Sequence, residues 1–477
     1  MAETIYDIAI IGSGPAGYTA AIRAGQWGLK TCLIEKNDQL GGTCLHVGCI
    51  PTKALLFHAE IYEHITGAAE FGFPGLPTPQ VDWTAIQQRK NKIVTKHTKG
   101  LDFLMRKNKV EVIEGYGRLT GPAQNGIHSV EVFAAGGGGA GGETNFIKAR
   151  NVLLATGSEA RMLPGLEPDS RILTNIEILS LNQIPKSLII VGSGAVGVEF
   201  ASIYKTFGAD VTVLEMLPRL VPVEDEDISK ELARAYRKRG IKTQVNAKVQ
   251  KVERTKDGVA VEFTVEDKAQ RIEAERVLIA VGRKPNTENV GLEKTKIKVE
   301  RGYVKVDQWM QTDEPGIYAG GDILAGYPQL AHAGFMEGIV AVAHMAKKPA
   351  KPVDPNLIPG CTYCEPQIGS VGLTEAQAKE KGHEVKVGKF PFTANSKASI
   401  IGAHEGFVKV VADAKYGQVL GVHIIGPSAT EMIAEAVTAM QMEATIEDMM
   451  FTVHAHPTLY EALLDGFSSV NGLAINA

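Results

Sequence analysis

Short apolar runs typical of buried strands alternate with helical patterns through the first two thirds of the chain. The apolar run YDIAIIG leads into a glycine-rich turn, a helical pattern continues to about Trp27, and the apolar run TCLIE ends at Glu35. This alternation predicts parallel sheets covered by helices. From Gly360 to Ala477 the strands are short and closely spaced, which predicts an antiparallel sheet with a few helices. The sequence therefore predicts an α/β protein with a C-terminal α+β domain.

The first strand–turn–helix–strand unit has the glycine pattern of a dinucleotide site. Gly12, Gly14 and Gly17 lie between the strand and the helix, and Glu35 ends the second strand. The glycines permit a tight turn and a close approach of a pyrophosphate, whose charge the helix N-terminus favours. An acid at the end of the second strand accepts a pair of ribose hydroxyls.

The same pattern returns at a constant offset in the middle of the chain. Gly192, Gly194 and Gly197 repeat the glycines, and Glu215 repeats the acid. Two such sites in one chain predict two Rossmann-like dinucleotide-binding domains that bind two different dinucleotides. A carboxylate at Glu215 accepts a ribose 2′-hydroxyl and repels a 2′-phosphate, so the second site is predicted to prefer NAD over NADP.

Two cysteines, Cys44 and Cys49, lie five residues apart in the stretch GGTCLHVGCIPTK. Gly41 and Gly42 permit a tight turn, and the segment after them predicts a helix start, where the dipole lowers a thiol pKa. The pair could form a small disulfide ring. A zinc site fits less well, because paired zinc ligands are usually closer and four are needed. Two buried core cysteines are the remaining alternative.

The segment HAHPTLYEALLDG near the C-terminus contains a candidate general base. Pro457 fits the first turn of a helix, which predicts His456 as the N-cap residue and places Glu461 about one turn later. A histidine held by a carboxylate is the arrangement of an oriented acid–base group. A metal pair with His454, or a simple surface turn, is the alternative.

Composition gives little further direction. The chain has 477 residues, a net charge of -4 and a pI near 6.3, so there is no global basic footprint for nucleic acid. No signal peptide and no run of 18 apolar residues is visible, so a cytoplasmic protein, or one in an organelle's stroma or matrix after processing, is expected.

The remaining segments are interpreted as structural, without a functional role. They are a basic helix from Ile86 to Lys109, a flexible hairpin tip from Ala134 to Gly142, a charged surface helix in EDEDISKELARAYRKRG, structural cysteines Cys361 and Cys364, and core methionines Met432, Met440, Met442, Met449 and Met450.

Taken in order, these motifs resemble the flavoprotein pyridine nucleotide–disulfide oxidoreductases from YDIAIIGSGPAG to HAHPTLYE. The cysteine stretch is the most specific element, because the family pattern is close to GGTCLNVGCIPSK. His46 and Thr52 depart from that pattern without involving the cysteines. The family usually has serine where Tyr460 stands, so the packing beside His456 differs from the family pattern.

The resemblance implies FAD at the first glycine pattern and NAD at the second, with Lys53 beside the flavin and paired with Glu199. The residues implied to contact FAD are Gly12, Gly14, Gly17, Glu35, Lys53, Gly117, Ala155, Thr156, Gly157, Asp322, Gln329, Leu330, Ala331 and His332. Those implied to contact NAD are Gly192, Gly194, Gly197, Glu199, Glu215, Val249 and Gly282. No metal is expected.

The resemblance also implies oxidation of protein-bound dihydrolipoamide to lipoamide, through a Cys44–Cys49 redox disulfide, FAD and NAD+. It implies an obligate homodimer in which His456 of one subunit faces the cysteines of the other. The implied partners are the lipoyl arms of 2-oxoacid dehydrogenase or glycine cleavage complexes. A glutathione- or mercuric-reductase-like enzyme and a non-catalytic flavoprotein subunit are the alternatives.

The implied division of the chain has four parts. Residues 1–157 begin the FAD domain, 158–282 form the NAD domain, 283–350 complete the FAD site, and 351–477 form the dimerisation domain.

Overall fold

A computed structural model describes residues 4–134 and 144–476. The predicted hairpin tip lies outside the described residues, apart from Ala134. The strands in chain order are β1 (Ile5–Ile11), β2 (Thr31–Glu35), β3 (Glu111–Glu114), β4 (Tyr116–Leu119), β5 (His128–Phe133), β6 (Thr144–Leu154), β7 (Ser158–Ala160), β8 (Ile172–Leu173), β9 (Ser187–Val191), β10 (Asp210–Leu214), β11 (Lys242–Gln244), β12 (Lys248–Arg254), β13 (Val259–Val265), β14 (Lys268–Ala274), β15 (Arg276–Ile279), β16 (Arg283–Pro285), β17 (Val299–Glu300), β18 (Tyr303–Val304), β19 (Ile317–Ala319), β20 (Gly360–Thr362), β21 (Gln367–Gly372), β22 (Val385–Pro391), β23 (Phe407–Asp413) and β24 (Val419–Gly426).

The α-helices in chain order are α1 (Pro15–Gln26), α2 (Gly42–Val47), α3 (Cys49–Thr66), α4 (Trp83–Lys107), α5 (Asn175–Leu179), α6 (Ala195–Thr206), α7 (Glu226–Lys238), α8 (Ala331–Met345), α9 (Glu375–Glu380), α10 (Ser396–Ile400), α11 (Ala429–Gln441), α12 (Ile446–Met450) and α13 (Glu461–Ser469). The fold is mixed α/β, as predicted.

The chain divides into two compact units, each assembled from three segments. The first unit comprises Met1–Pro51, Gln88–Ala160 and Arg283–Pro355. The second comprises Thr52–Gln87, Arg161–Gly282 and Asn356–Ala477. The predicted division into four domains with assigned cofactors stays a prediction.

The first unit is built on a seven-stranded sheet in the order β3-β2-β1-β6-β5-β4, with β19 also paired to β6. Strands β1, β2, β3, β6 and β19 pair in parallel, whereas β5 pairs antiparallel with both β4 and β6. Helix α1 packs against α8 at small residues. A Cβ placed on Gly338 of α8 would lie 2.4 Å from the carbonyl oxygen of Ala16 on α1. This close approach explains why small residues occupy the contact.

The second unit contains a five-stranded parallel sheet in the order β11-β10-β9-β15-β8. The segment KTQVNAKVQKVE divides between two sheets, because β11 joins this parallel sheet and β12 joins β13 and β14 in an antiparallel one. Helix α7 is not simply a charged surface helix. Its Ile228, Leu232 and Tyr236 side chains are fully buried, so only one face of the helix carries the exposed charges.

The last segment of the second unit forms the predicted antiparallel sheet, in the order β20-β21-β24-β23-β22. Helices α11 and α13 pack on this sheet. The core assignment of the methionines holds for Met432 and Met449, which are buried. It is wrong for Met442, which is 76% exposed because it follows the last residue of α11.

Candidate active site

The first glycine-rich turn has no room for side chains at two of its three glycines. Gly12 has φ +102°, and a Cβ there would lie 2.3 Å from the carbonyl oxygen of Ala155. A Cβ on Gly17 would lie 1.9 Å from the carbonyl oxygen of Gly12. Beside Gly14, by contrast, no described protein atom lies within 4 Å of such a Cβ. The turn therefore packs tightly on the sheet and leaves an open surface at the N-terminus of α1, where a pyrophosphate fits.

The second turn has almost the same geometry. Gly192 has φ +103°, and its Cβ would lie 2.3 Å from the carbonyl oxygen of Ala280. A Cβ on Gly197 would lie 2.0 Å from the carbonyl oxygen of Gly192, whereas Gly194 faces open space within the described residues. The sequence repeat is thus a repeat in three dimensions, and both turns fit a dinucleotide.

The acids at the two strand ends, Glu35 and Glu215, also accept hydrogen bonds from their own glycine turns. Glu35 Oε2 accepts hydrogen bonds from the backbone N and the Oγ of Ser13, at 2.8 and 2.6 Å. Glu215 Oε2 accepts the same two bonds from Ser193, at 2.8 and 2.7 Å. Both carboxylates are buried. Each acid therefore holds its own glycine turn in place, a role that the sequence analysis missed; their bonds to ribose hydroxyls stay a prediction.

The two cysteines of the stretch GGTCLHVGCIPTK lie at the starts of consecutive helices. Cys44 is the third residue of α2, and Cys49 is the first residue of α3. The two residues lie near disulfide distance of each other. Burial raises the pKa of Tyr18 on α1 to about 12, and both cysteines add smaller contributions, so Tyr18 lies near the pair. The predicted helix start is confirmed, with Gly48 separating two helices.

Asp322 belongs to a polar cluster of the first unit. Its Oδ2 accepts a short hydrogen bond from Ser158 Oγ and lies 3.7 Å from Arg283 Nε. Arg283 also donates to the Oγ and carbonyl oxygen of Ser158, both at 2.6 Å. Asp322 follows Gly321, whose φ is +78°, so the predicted glycine turn at the strand end is present. Ser158 and Arg283 were not predicted, because their pairing joins β7 and β16, which are distant in sequence.

A buried carboxyl group lies behind the turn that presents Asp322. Glu337 on α8 is fully buried, and its Oε2 accepts a hydrogen bond of 2.6 Å from the backbone N of Gly321. Its Oε1 has no hydrogen-bond partner among the described residues. Burial raises the pKa of Glu337 to about 7. Nothing in the local sequence FMEGIV distinguishes this glutamate from a surface residue of a helix.

Two of the other residues predicted near FAD, Thr156 and Gln329, make hydrogen bonds within the first unit, and the rest lie in the same unit. Thr156 and Asn286 exchange hydrogen bonds, with Thr156 Oγ1 donating over 2.6 Å to the carbonyl oxygen of Asn286. Gln329 Nε2 donates over 3.0 Å to the carbonyl oxygen of Asp322, which ties the start of α8 to the acidic turn. The structure places the remaining ones in the first unit as follows: Gly117 on β4, Ala155 and Gly157 after β6, Leu330 as the N-cap residue of α8, and Ala331 and His332 in its first turn.

Lys53 and Glu199 form the predicted ion pair within the second unit. Lys53 Nζ lies 2.8 Å from each carboxylate oxygen of Glu199. Glu199 is buried on α6, and Lys53 is half-buried on α3. Val249 on β12 packs beside the core of this unit, and Gly282 follows β15 with φ +109°. Their predicted contacts with NAD stay predictions.

His456 lies in a turn and not at a helix N-cap. The peptide bond before Pro457 is cis, and α13 begins at Glu461, so the predicted N-cap assignment is wrong. The predicted carboxylate contact is present, since His456 Nδ1 lies 2.8 Å from Glu461 Oε1. Thr458 N donates to the other oxygen at 2.9 Å. Burial opposes ionisation of Glu461, but these bonds outweigh it and hold its pKa below the ordinary value.

A second histidine–carboxylate pair lies beside the first. His454 Nε2 lies 2.7 Å from Glu435 Oε1 on α11, and its side chain is buried. The side chain of His456, in contrast, is 70% exposed. The two histidines of the HAH sequence therefore differ in role: His454 holds the turn against α11, and His456 is available to a partner or substrate.

The chain belongs to the pyridine nucleotide-disulphide oxidoreductase family. The model of that family matches residues 6–338, and the model of the family's dimerisation domain matches residues 358–465. Members of the family use FAD and NAD(H), which are therefore the cofactors of this enzyme. The dimerisation domain indicates a homodimer.

Among curated relatives, the chain is similar to the dihydrolipoyl dehydrogenase of Bacillus subtilis, with 44% identity over 99% of both chains. It is 43% identical to the dihydrolipoyl dehydrogenase of Rhizobium etli over the whole of both chains. Among solved structures, LpdA from Mycobacterium tuberculosis has a TM-score of 0.88 at 29% identity, covering 97% of this chain and 99% of LpdA. The HOCl-induced flavoprotein disulfide reductase RclA from Escherichia coli has a TM-score of 0.83 at 28% identity, covering 97% of this chain and 99% of RclA.

The described residues contain neither a membrane-spanning helix nor a metal-binding cluster. None of the helices between residues 4 and 476, as far as they are described, is long and apolar enough to cross a bilayer. No group of three or more histidine, cysteine, aspartate or glutamate side chains in the described part of the chain could hold a metal ion.

Proposed function

We propose that this enzyme is a dihydrolipoyl dehydrogenase, which oxidises dihydrolipoamide to lipoamide and passes the electrons to NAD+. The observation that carries the proposal is the full-length similarity, at 40 to 44% identity, to relatives that bear that name. The Cys44–Cys49 pair supports it, because oxidation of a dithiol by a protein disulfide needs two cysteines within bonding distance of each other.

The cysteine pair carries the exchange with substrate. In the oxidised enzyme Cys44 and Cys49 share a disulfide. A thiolate of dihydrolipoamide attacks the sulfur of Cys44, the Cys44–Cys49 bond breaks, and Cys49 leaves as a thiolate. The second thiolate of the substrate then attacks the substrate sulfur that is bonded to Cys44. The mixed disulfide breaks, and Cys44 leaves as a thiolate. The products are lipoamide and a reduced cysteine pair, so two electrons have passed from substrate to protein.

The partner subunit's His456 supplies the proton transfers. It takes a proton from the first substrate thiol, releases that proton to solvent, and then takes a proton from the second thiol, because a thiol attacks a disulfide only as its thiolate. Glu461 holds the imidazole in one orientation through its contact with Nδ1. The exposed position of His456 is suited to a base that acts on a neighbouring subunit's site.

Bound FAD would supply the redox chemistry that links the reduced cysteine pair to hydride transfer to NAD+. In the first unit, the open surface at Gly14, the rigid turn at Gly12 and Gly17, and the polar cluster at Asp322 would hold FAD. In the second unit, the matching turn at Gly192 to Gly197 and the acid Glu215 would hold NAD. Glu215 would also disfavour the 2′-phosphate of NADP.

The physiological partner is proposed to be a lipoyl domain or lipoyl carrier protein of a multienzyme complex. The relatives' name supports this, because dihydrolipoyl groups are carried on such proteins. The particular complex, and a location in the cytoplasm or in an organelle's stroma or matrix, stay predictions.

The test is anaerobic reduction of the purified holoenzyme by dihydrolipoamide, followed by steady-state turnover with NAD+. We expect rapid turnover with dihydrolipoamide and NAD+, and at least tenfold lower kcat/KM with NADP+. Turnover of glutathione disulfide or mercuric ion at a higher kcat/KM would replace the proposal by another disulfide reductase. Absence of any dithiol turnover by flavin-loaded protein would favour a non-catalytic subunit.

A further inference from the structure

The Lys53–Glu199 pair has a third member, Tyr363. Lys53 Nζ lies 4.5 Å from the centroid of the Tyr363 ring. The backbone N of Tyr363 donates a hydrogen bond of 2.9 Å to Glu199 Oε1, the same oxygen that receives Lys53 Nζ at 2.8 Å. All three residues belong to the second unit. Tyr363 therefore contacts both members of the ion pair, one through its ring and the other through its backbone.

The loop that carries Tyr363 is held firmly on α6. Glu365 N donates over 3.1 Å to Ser202 Oγ, one helical turn from Glu199. Cys364 between them is fully buried. Two consecutive turns of α6 thus anchor residues 363 and 365, so the Tyr363 ring is a rigid surface for the flexible lysine side chain.

The charges explain why such a surface matters. A buried carboxylate such as Glu199 is stable only when it is paired and hydrogen-bonded. Lys53 supplies the positive charge, but its four-carbon stem can place the ammonium in many positions. The face of an aromatic ring carries a partial negative charge and attracts an ammonium group at this distance. The ring therefore adds a second contact to the two hydrogen bonds that Lys53 donates to Glu199, and together they restrict the position of the ammonium group.

We propose that Tyr363 is a positioning residue for Lys53, whose ring holds the ammonium group on the Glu199 carboxylate. This inference deepens the proposed function and rests on it, since Lys53 is assigned to the flavin site. A positive charge held beside the flavin stabilises the negatively charged reduced state. Loss of the ring lets the ammonium move away from that position, so the reduced state becomes less stable relative to the oxidised state.

The test compares Tyr363→Phe with Tyr363→Leu in the FAD-loaded full-length enzyme. Both variants keep the backbone hydrogen bond to Glu199, and only Tyr363→Leu removes the ring. The measurement is the ratio of reduced to oxidised flavin at equilibrium with fixed NADH/NAD+ mixtures, without lipoamide. We expect Tyr363→Leu to lower that ratio roughly 2- to 10-fold, the range of one cation–π contact, and Tyr363→Phe to stay within about twofold of the parent. If Tyr363→Leu does not fold with FAD, Tyr363→Met serves as the ringless variant.

A double-mutant cycle with Lys53→Met shows whether the ring acts through the lysine. We expect the effect of removing the ring to disappear in the Lys53→Met background, because residues that act through one contact are not additive. An equal effect in both backgrounds, or no effect of either ringless variant, would overturn the proposal. NADH also reduces the Cys44–Cys49 pair through the flavin, but the NADH/NAD+ mixture sets the flavin equilibrium and no dithiol substrate is present. Failure of the dihydrolipoamide assay alone would therefore contradict the proposed substrate, and the flavin measurement would still test Tyr363.

Discussion

The Nδ1 atom of His456 and the Oε1 atom of Glu461 lie 2.8 Å apart, so the imidazole is oriented by a carboxylate of the next helix. A carboxylate only accepts hydrogen bonds, so His456 Nδ1 must carry the proton of this contact. Nε2 is then the nitrogen that can take a proton from a substrate. This assignment gives each of the two residues a separate, measurable role.

Replacement of His456 by alanine should lower turnover of dihydrolipoamide about 10²- to 10⁴-fold, the usual contribution of a positioned base. FAD content should not change, because the side chain is exposed on its own turn and does not support a core. Steady-state kinetics and the visible absorbance of the purified variant provide the two measurements. Turnover within a few-fold of the parent would remove His456 from the mechanism.

Replacement of Glu461 by glutamine should reduce turnover less, roughly 10- to 1,000-fold. The amide can still accept a bond from His456, but it no longer stabilises the positive charge that forms on the imidazole. The matched control is Glu435→Gln, which alters the neighbouring pair with His454 and should have a smaller effect. Equal losses in the two variants would indicate that both glutamates act only on the fold of the turn.

Replacement of Cys44 or Cys49 by serine should abolish oxidation of dihydrolipoamide, with a loss of at least about 10³-fold, because no disulfide remains to accept electrons from the dithiol. Reduction of the flavin by NADH should persist in both variants, because that step does not pass through the cysteines. Cys361→Ser is the matched control, since this thiol donates only a weak bond to the carbonyl oxygen of Thr430. Dihydrolipoamide turnover by either active-site variant would contradict the assigned redox pair.

Replacement of Glu215 by glutamine should change the choice of nicotinamide cofactor. The amide oxygen can still accept the bonds from Ser193, so the turn should stay in place, while the bond from Leu217 N to the other oxygen and the charge that repels a 2′-phosphate are lost. The ratio of kcat/KM for NADP+ to that for NAD+ should rise at least about tenfold. An unchanged ratio would mean that Glu215 serves only to hold the glycine turn.

The buried Glu337 should make stability depend on pH. Its pKa is raised from an ordinary 4.5 to about 7 by burial, so between these values the folded state binds more protons than the unfolded state. Stability is therefore lost as the pH rises through this window, by on the order of 3 kcal/mol above pH 7. Glu337→Gln, which cannot ionise, should be the more stable protein at pH 8 and gain little at pH 4. Denaturant unfolding of both proteins at the two values measures this difference, and an equal difference at both would refute it.

The parts of the site that depend on short sequence patterns could be predicted. The glycine turns need residues without side chains at particular spacings, so Gly12 and Gly17 are recognisable without any structure. The helix start at Cys44 followed from the preceding glycine pair in the same way. The ion pair of Lys53 with Glu199 was found only through the family resemblance, because nothing local connects a lysine of α3 to a glutamate of α6.

The remainder depended on contacts that sequence spacing does not encode. Arg283 and Ser158 meet because β16 pairs with β7, and Glu337 is buried because α8 packs closely on α1. His456 is wrongly predicted at a helix N-cap. That prediction depends on Pro457 as the first residue of a helix, but proline is also common in turns that no helix follows. In each case tertiary packing, and not local preference, determines the environment of the side chain.

The division of the first unit among three chain segments also sets the order in which the protein can fold during synthesis. Its sheet lacks β19 and its helical layer lacks α8 until residue 345 has left the ribosome. The parallel sheet of the second unit, in contrast, is complete by the end of β15 at Ile279. Because domains fold as their last elements emerge, a nascent chain has a complete sheet in its middle while β6 of the first sheet still lacks its partner β19.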